Sequence, residues 1–353
     1  MRQRRAWLCA LVLAVPLALT ACSSGGNGAT TQAGGGGGQT ISVAVSGSEN
    51  PIFAPYLVAN AKGYFASRGI TIKQDIYESG TLAFSAFAGG SDQFCICGAT
   101  QVMTANSKGR GYVGVFNQYI GGAVVFVGAK KFESSRGTDL AKYNGATWAY
   151  TAEGSVSQVF MARAADAAGI GWDKQKHLAI GAVSAFIPSL QTGRADIVAM
   201  DSASAAQAIK AGIGYAVFNT NDPRTVQPIW GRQLGLPMVT TKAYASKNAA
   251  LTQKFVDALR QGLVAVQANS ADPNKVLALM PQDFQSSNKD TFGVIWPLVK
   301  AGFGSLDGTF TQQQLGDTTN FAIATGVLPK GTSTAADFDN TYAQKAISEV
   351  NSK

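Results

Sequence analysis

Four short segments combine small and polar residues in a pattern typical of ligand-binding turns. They are residues 46–50, 98–101, 151–157 and 201–204, and each is expected to open a helix. The first turn of a helix presents unpaired N–H groups and a partial positive charge, and small residues let a ligand approach that backbone. If the segments converge, they predict a cleft for a small-molecule solute. The alternative is that their side chains only cap their own helices.

Polar contacts to a solute are expected from both halves of the chain. The first half would supply Ser48, Asn50, Thr100, Gln101, Asn117 and Gln118. The second half would supply Gly154, Ser155, Ser157, Asp201 and Ser202. Phe53 and Trp230 are candidate aromatic walls of the cleft, and burial in the core is the alternative for both.

Asp201 carries the sharpest single prediction. A carboxylate that faces the cleft disfavours a bare anion and favours a ligand with an amine, amide or hydroxyl donor. The same side chain could instead cap a helix that begins at Ser202. A ligand contact predicts that Asp201→Ala weakens binding by about tenfold, or about 1.4 kcal/mol. A cap predicts a loss of stability with the affinity intact.

The sequence offers little that is typical of catalysis. Its one histidine, His177, lies in a polar stretch that is expected at the surface. Ser155 lacks the G-x-S-x-G setting of a nucleophile elbow, and one distant histidine argues against a hydrolytic triad. No P-loop, HExxH or CxxC motif occurs. These features predict a protein that is not an enzyme and that uses no cofactor or metal.

Two of the four cysteines, Cys95 and Cys97, belong to the predicted fold. In a strand their side chains would point the same way, which argues against an unstrained disulfide. Two buried thiols that pack as small hydrophobic groups are therefore expected. A strained redox pair and a soft-metal site are the alternatives.

An alternation of strands and helices must position the four turns. Period-2 apolar patterns predict strands near 41–46, 70–72, 94–97 and 112–116, then near 146–150, 179–183, 195–200 and 215–218. The two series align at an offset of 104 residues. The pattern predicts an α/β chain with two similar lobes, each built on a doubly wound, mostly parallel sheet. Such sheets bind ligands at the carboxyl ends of their strands.

The predicted lobes are discontinuous in the chain. Residues 40–128 and 236–353 form lobe 1, and residues 129–235 form lobe 2. The C-terminal third reads as helical and is expected to pack on lobe 1. Connections are predicted near Val127–Lys131 and Arg232–Pro237, where hinge closure would bury one solute.

The first residues predict an export signal. In residues 1–21 a basic start precedes an apolar run from Ala6 to Leu19. That run has 14 residues and contains Pro16, whereas a membrane-spanning helix needs about 20. The sequence ending at Cys22 resembles the lipobox of bacterial lipoproteins, in which this cysteine becomes lipidated. Residues 22–39 are rich in glycine and predict a flexible tether.

The charge of the chain excludes one class of partner. Three of the 29 Lys and Arg lie in the signal, so 26 remain against 21 acidic residues, a net charge of +5. No dense basic run occurs, which argues against nucleic-acid binding. A surplus of this size fits a solvated surface and contact with anionic lipid.

Five short motifs follow one another along the chain. They are Gly63-Tyr64-Phe65, Gly69-Ile70-Thr71-Ile72, Ser79-Gly80, Asn144-Gly145-Ala146-Thr147 and Gly154-Ser155. In order and spacing, over about residues 40–270, they resemble periplasmic substrate-binding proteins of the nitrate/sulfonate/taurine transport type. The turn Met200-Asp201-Ser202 departs from the aromatic or Pro-containing turn that this family often has, which leaves the solute open.

The resemblance implies a two-lobed, type II periplasmic-binding-protein fold. It implies a monomer that delivers a small polar solute to the permease subunits of an ABC importer. It also implies a place outside the bacterial cytoplasmic membrane, where lipid on Cys22 would anchor the chain. Sulfonates, taurine, nitrate and heteroaromatics such as pyrimidines are the solutes left open. The fold family also resembles fungal thiamine-pyrimidine synthases, so such an enzyme, or a solute sensor, is the alternative function.

Overall fold

The computed structural model describes residues 38–47 and 50–351. The predicted signal at 1–21, the predicted lipidation site Cys22 and the predicted ligand residue Ser48 lie outside the described residues. The described residues belong to one compact unit. Within them, no helix has both the length and the apolar character needed to cross a membrane.

Within the described residues, ten strands form two sheets of five strands each. The strands are β1 (Gln39–Ser46), β2 (Ile70–Tyr77), β3 (Phe94–Ile96), β4 (Tyr112–Asn117), β5 (Val125–Ala129), β6 (Thr147–Tyr150), β7 (Lys176–Ala179), β8 (Ile197–Met200), β9 (Gly214–Asn219) and β10 (Pro237–Thr241). The first sheet has the order β2-β1-β3-β10-β4, and the second has the order β7-β6-β8-β5-β9.

Fifteen α-helices surround these sheets in the same described ranges. They are α1 (Ala54–Ala61), α2 (Gly80–Ala88), α3 (Ala99–Ser107), α4 (Glu133–Arg136), α5 (Val156–Ala167), α6 (Phe186–Gln191), α7 (Ser202–Lys210), α8 (Pro223–Trp230), α9 (Lys242–Lys247), α10 (Ala249–Asn269), α11 (Pro273–Leu277), α12 (Gln282–Asn288), α13 (Phe292–Val299), α14 (Gln312–Ala324) and α15 (Thr341–Asn351). Short 3₁₀ turns join several of them.

The two sheets share one plan. In the first, β1 pairs in parallel with β2 and β3, and β10 lies antiparallel between β3 and β4. In the second, β6 pairs in parallel with β7 and β8, and β5 lies antiparallel between β8 and β9. In each sheet the antiparallel strand follows a connection that crosses over from the other sheet. The predicted α/β fold with two doubly wound sheets is confirmed.

The predicted connection near Val127–Lys131 is wrong, because its first residues lie in the buried strand β5 of the second sheet. The chain crosses between the sheets at residues 118–124 and 220–236, which we call the crossing segments. They contact each other, since Ile120 and Leu234 form an isolated antiparallel bridge. No helix separates β4 from β5, so a pattern of alternating strands and helices could not predict β5.

Two predicted boundaries also differ from the structure. Strand β1 begins at Gln39, one residue inside the predicted tether 22–39. The strand predicted at 179–183 lies earlier, at β7. Strand β7 is at the edge of its sheet and is mostly exposed. It therefore contains polar residues such as Lys176 and His177, and an apolar pattern does not reveal it.

The C-terminal third packs against both sheets, which corrects the expectation that it packs on lobe 1 alone. In the core of the first sheet, Phe255 of α10 stacks on Phe94 of β3, with ring centroids 4.2 Å apart. Helix α13 also contacts α7 of the second half, where Ile295 packs against Ala203. Phe321 of α14 lies in the core of the second sheet. The C-terminal helices therefore contact the cores of both sheets.

Cys95 and Cys97 form a disulfide, which corrects the expectation of two thiols. Their Cα atoms are 5.4 Å apart, within the usual range for a disulfide. Strand β3 ends at Ile96, so the extended spacing assumed for the pair does not hold at Cys97. Both cysteines are buried as expected, in a cluster with Phe87 and Tyr112.

Candidate functional site

A cavity of about 440 Å³ lies between the two sheets, beside the carboxyl ends of their strands. This is the edge at which α/β sheets bind ligands, and small-molecule sites typically have volumes of about 300–1,000 Å³. Residues from all four predicted turns line the cavity. Two further segments of the wall are residues 76–81 and 183–187, and residues 122–124 and Leu236 of the crossing segments also line it.

Five of the predicted ligand residues line this cavity. They are Asn50, Gln101, Ser155, Ser157 and Asp201. The structure therefore brings together polar side chains that are up to 151 positions apart in the chain. Three of them come from the second half, and two come from the first.

Seven other predicted residues do not line it. They are Phe53, Thr100, Asn117, Gln118, Gly154, Ser202 and Trp230. Phe53 is buried in the core of the first sheet, and Trp230 packs on Phe160 and Phe321 in the core of the second. For both aromatic residues the structure has the core packing that was the alternative.

The polar residues among these seven lie outside the cavity, in other parts of the structure. The side-chain amide of Asn117 donates to the carbonyl of Thr309 (3.1 Å). Gln118 is fully buried, and its amide has no hydrogen-bond partner among the described residues. Ser202 is fully buried in α7. Thr100 lines only a neighbouring recess of about 10 Å³.

Three hydroxyl groups form a polar wall on the side of the second sheet. Ser155 caps α5 by accepting from the N–H of Gln158 (3.3 Å). The Oγ of Ser157 lies 2.9 Å from the hydroxyl oxygens of both Ser155 and Thr151. Gly154 is exposed with φ +73°, a conformation that favours glycine, and it turns the chain into α5. The linked hydroxyls hold one another in place and preorganise this wall.

Asp201 caps α7, as one of its two predicted roles requires. Its Oδ1 accepts from the N–H groups of Ala203 (2.9 Å) and Ser204 (3.0 Å), and its Oδ2 accepts from the Ser204 hydroxyl (2.6 Å). Burial raises the pKa of this carboxyl above its ordinary value, although the same hydrogen bonds act to lower it. A carboxylate oxygen accepts more than one hydrogen bond, so Oδ2 keeps capacity for a donor in the cavity.

Turns of the first sheet are capped in the same local way. The Oδ1 of Asn50 accepts from the N–H of Ile52 (3.2 Å). The Oε1 of Gln101 accepts from the N–H of Gly98 (3.1 Å), which ties the first turn of α3 to its start. Asn50 and Gln101 thus each line the cavity and also stabilise the start of their own helix. Capping and ligand contact are therefore compatible at these positions.

Two contacts join the opposite sides of the cavity. The backbone N–H of Val183 donates to the carbonyl of Glu78 (3.4 Å). A Cβ added to Gly98 would lie 2.7 Å from the Cγ2 of Val156, so only glycine permits this approach without a shift. Glu78 and Gly98 belong to turns of the first sheet, and the other two residues belong to the second half. The two sides of the cavity therefore contact each other at these two points.

The sequence pattern did not predict the two further segments of the wall. One signal was available: Ser79-Gly80 follows β2 and opens α2, where the Ser79 hydroxyl accepts from the N–H of Leu82 (3.2 Å). This is the chemistry of the four predicted turns. The segment 183–187 carries no such signal, because it contributes mostly apolar residues from a 3₁₀ turn and α6.

Most of the cavity wall is apolar, and its charges have one sign. Glu78 and Asp201 are the charged residues among the described lining residues, which include no Lys, Arg or His. The apolar lining residues include Ile52, Ile76, Ile96, Val124, Val156, Val183, Phe186, Ile187 and Leu236.

Other reactive side chains lie elsewhere. His177 is exposed on β7 and stacks on Trp172, with ring centroids 4.0 Å apart. Neither residue lines the cavity. Within residues 38–47 and 50–351, no group of three or more His, Cys, Asp or Glu side chains could hold a metal ion.

Comparisons with known proteins give a family and a fold. A family model described as NMT1/THI5 like matches residues 50–273, and no curated protein matches the chain. A structure from Bordetella bronchiseptica RB50 is 17% identical, covers 88% of this chain and 98% of its own, and has a TM-score of 0.77. The nitrate-binding protein NrtA from Synechocystis PCC 6803 is 13% identical, with 90% of each chain covered and a TM-score of 0.68.

A third structure is the alkanesulfonate-binding protein SsuA from Xanthomonas axonopodis pv. citri, bound to MOPS. It is 14% identical, and the match covers 86% of this chain and 98% of that one, with a TM-score of 0.65. At such identities the likeness establishes the fold, which is that of periplasmic binding proteins.

Proposed function

Because the chain belongs to the NMT1/THI5-like family and has the periplasmic-binding-protein fold, we propose that it is the extracytoplasmic solute-binding component of an ABC importer. The observation that carries this proposal is the cavity of about 440 Å³ between the two sheets. Turns from both sheets line it, as expected where a solute is held between two lobes. The nitrate-binding and alkanesulfonate-binding proteins of the same fold support this role.

Each sheet would form the core of one lobe. Because β5 belongs to the second sheet, we place the start of lobe 2 near residue 125 rather than 129. Lobe 1 would contain the first sheet and most of the C-terminal helices. A solute would contact the hydroxyl wall and Asp201 on lobe 2, and Asn50 and Gln101 on lobe 1.

The crossing segments would serve as the hinge. They lie side by side, and their backbones are bonded through the bridge between Ile120 and Leu234. Ala123 has φ +61°, a left-handed conformation that is uncommon for alanine. Its N–H donates to the Oδ1 of Asn221 (3.0 Å). Rotation at these few positions would open the cavity by separating Glu78 from Val183.

A lipid on Cys22 would keep this monomeric chain at the outer face of the cytoplasmic membrane, near the permease subunits of the importer. Support for this placement comes from the basic and apolar start of the sequence and from the glycine-rich segment 22–39. Lipid labelling of the full-length chain should be lost on Cys22→Ala. Labelling that persists in this variant would contradict the anchor.

Titration calorimetry with candidate solutes, followed by recovery of the solute, tests the proposed function. One solute should bind per chain and should be recovered unchanged. Ser157→Ala should weaken binding about threefold to tenfold, because one hydrogen bond is worth about 0.5–1.5 kcal/mol. Ser286→Ala removes an exposed hydroxyl that donates to the carbonyl of Gln282 and should leave the affinity unchanged. Recovery of a chemically altered solute would favour an enzyme instead.

A further inference from the structure

The charges of the cavity restrict what it can hold. Its two charged side chains, Glu78 and Asp201, are both acidic, and the described lining residues include no basic side chain. A negatively charged solute in an enclosed site needs a cation or several free donors to replace its lost hydration. This wall would instead repel such a solute.

The helix N-termini do not change this balance. Those of α2, α3, α5 and α7 reach the cavity. At α2, α5 and α7 a side-chain acceptor already bonds to a first-turn N–H group, and at α3 the N–H of Ala99 donates to the carbonyl of Gly235 (3.3 Å). The acceptors are the hydroxyls of Ser79 and Ser155 and the carboxylate of Asp201. At α7 the acceptor is itself negatively charged, so it offsets the partial positive charge of that helix end. These bonds therefore use part of the donor capacity that the helix ends could offer an anion.

The size and the apolar surface of the cavity also favour an organic solute over a small anion. A volume of about 440 Å³ is about fifteen times the ~30 Å³ that one water molecule occupies in the liquid. An ion of four heavy atoms such as nitrate would leave most of this space unfilled. The walls offer Ile52, Ile96, Val124, Phe186 and Leu236 for contact with carbon. Such surfaces fit an organic molecule with a substantial apolar body.

The polar groups that remain are the Asp201 carboxylate, hydroxyls, and the side-chain NH2 groups of Asn50 and Gln101, whose oxygens already accept hydrogen bonds. The Oδ2 of Asp201 accepts one described hydrogen bond, from the Ser204 hydroxyl, and keeps acceptor capacity. The hydroxyls of Thr151, Ser155 and Ser157 can either donate or accept. A solute with N–H or O–H donors for Asp201 and the hydroxyls, and an uncharged acceptor for the amide groups, would satisfy this set.

From this geometry, and resting on the proposed function, we propose that the solute is an organic molecule with N–H or O–H donors, a largely apolar body and no negative charge. It is uncharged or cationic, and its donor meets Asp201. Sulfonates, taurine and nitrate are then poor ligands for this chain, although related folds bind some of them.

Probes of matched shape and different charge test this inference. Benzamidine, benzamide and benzoate form one series; hexylamine, hexanamide and hexanesulfonate form another; taurine and nitrate are added. Each is screened on the full chain by thermal shift at millimolar concentration, where a bound ligand raises the unfolding temperature. The uncharged or cationic members of a series should stabilise the protein more than the anion. Equal or greater stabilisation by an anion overturns the inference and leaves the proposed function intact.

Asp201→Asn provides the second arm. Asn remains a good N-cap, so the variant should fold and keep its unfolding temperature within a few degrees. Its affinity for the best cationic or amide probe should fall at least tenfold. Asp272→Asn is the matched control, since Asp272 caps α11 through the N–H of Asn274 (2.9 Å) and does not line the cavity.

The outcomes of the two arms are distinguishable. If Asp201→Asn binds these probes as tightly as the parent chain, the assigned donor contact is wrong. If no probe of either charge stabilises the parent chain, the proposed solute-binding function is contradicted along with the inference.

Discussion

Two regions of this molecule contain similar small polar residues, but their side chains form hydrogen bonds over different distances along the chain. The cavity wall contains Thr151, Ser155, Ser157, Asp201 and Ser204, and the hydrogen bonds of these side chains join residues at most six positions apart. In the crossing segments, Thr220 and Asn221 bond to residues 96 and 98 positions away. Local bonds leave a side chain beside open space, whereas distant bonds hold two segments of chain together.

This difference shows that the role of a polar residue after a strand depends on where the chain goes next. Both regions contain small polar residues just beyond a strand end. At β6 and β8 the chain continues directly into a helix whose start needs a cap, and the cap also lines the cavity. At β4 and β9 the chain leaves its sheet, and after β9 the side chains of Thr220 and Asn221 satisfy backbone groups of the other crossing segment.

The largest expected effect comes from Thr220→Val. Thr220 is fully buried, its hydroxyl donates to the carbonyl of Val124 (2.6 Å), and it accepts from the N–H of the same residue (3.1 Å). Valine keeps the shape but leaves the N–H of Val124 unpaired, at a cost of about 1–3 kcal/mol. The carbonyl of Val124 still accepts from the backbone N–H of residue 220 (3.1 Å). Urea denaturation should show a loss of about 1–3 kcal/mol in the free energy of unfolding.

Thr151→Val is the matched change in the cavity wall. The Thr151 hydroxyl pairs locally with Ser157 (2.9 Å) and lies beside the cavity, where water can replace it. The free energy of unfolding should change by less than about 1 kcal/mol. Equal losses in the two variants would contradict the distinction between the two regions.

A smaller effect is expected at the contact between the two sides. Gly98→Ala places a Cβ 2.7 Å from the Cγ2 of Val156, so the closed arrangement should be strained while a separated one is not. Solute affinity should fall about tenfold, or about 1.4 kcal/mol, with little change in the unfolding of the solute-free chain. Titration calorimetry measures the first effect, and urea denaturation measures the second.

A second substitution sharpens this prediction. Val156→Ala shortens the opposing side chain and should restore part of the affinity lost in Gly98→Ala. The affinity lost in the double variant should therefore be smaller than the sum of the affinities lost in the two single variants. Strict additivity of the two losses would show that Gly98 and Val156 do not meet in the bound state.

The smallest expected effect is one of pH at Tyr77, a cavity residue with a distant partner. Burial, together with the hydrogen bond from its hydroxyl to Asp92 (3.0 Å), raises the pKa of Tyr77 from 10.0 to about 12. The unfolded chain therefore loses this proton first, and the stability that Tyr77 contributes is present below pH 10 and is lost as the pH rises toward 12.

Tyr77→Phe isolates this contribution. The parent chain should lose more stability between pH 9 and about 11.5 than the variant does, when both are measured by urea denaturation. Other buried tyrosines affect both proteins equally and cancel in the difference. Parallel pH profiles for the two proteins would show that the Tyr77 hydroxyl is not held by Asp92.

Much of the architecture was predictable from the sequence because α/β units repeat a local pattern. The alternation of apolar strands with capped helices located the turns around Asn50, Gln101, Ser155 and Asp201, all of which line the cavity. Strand β5 was not predictable, since its place in the second sheet depends on a partner, β8, that lies about 70 residues later. No local pattern carries that information.

The candidate site was only partly predictable for the same reason. Asn117 ends β4 and Gln118 follows it, much as Ser155 comes after β6, but β4 leads into a crossing segment rather than a helix. Phe53 and Trp230 have the residue type of an aromatic wall, yet neighbouring aromatic residues bury them in the two cores. Residue type states what a side chain can do, and the long-range path of the chain decides where it does it.

The most direct test of the proposal that the two halves close around a solute is a distance between them. Spin labels on cysteines placed at the exposed positions Lys108 and Lys174, in a chain with Cys22→Ala, report this distance by pulsed electron resonance. A bound solute should shift the distribution to shorter and narrower distances, because rotation at the crossing segments closes the cavity. An identical distribution with and without a solute that calorimetry shows to bind would contradict closure.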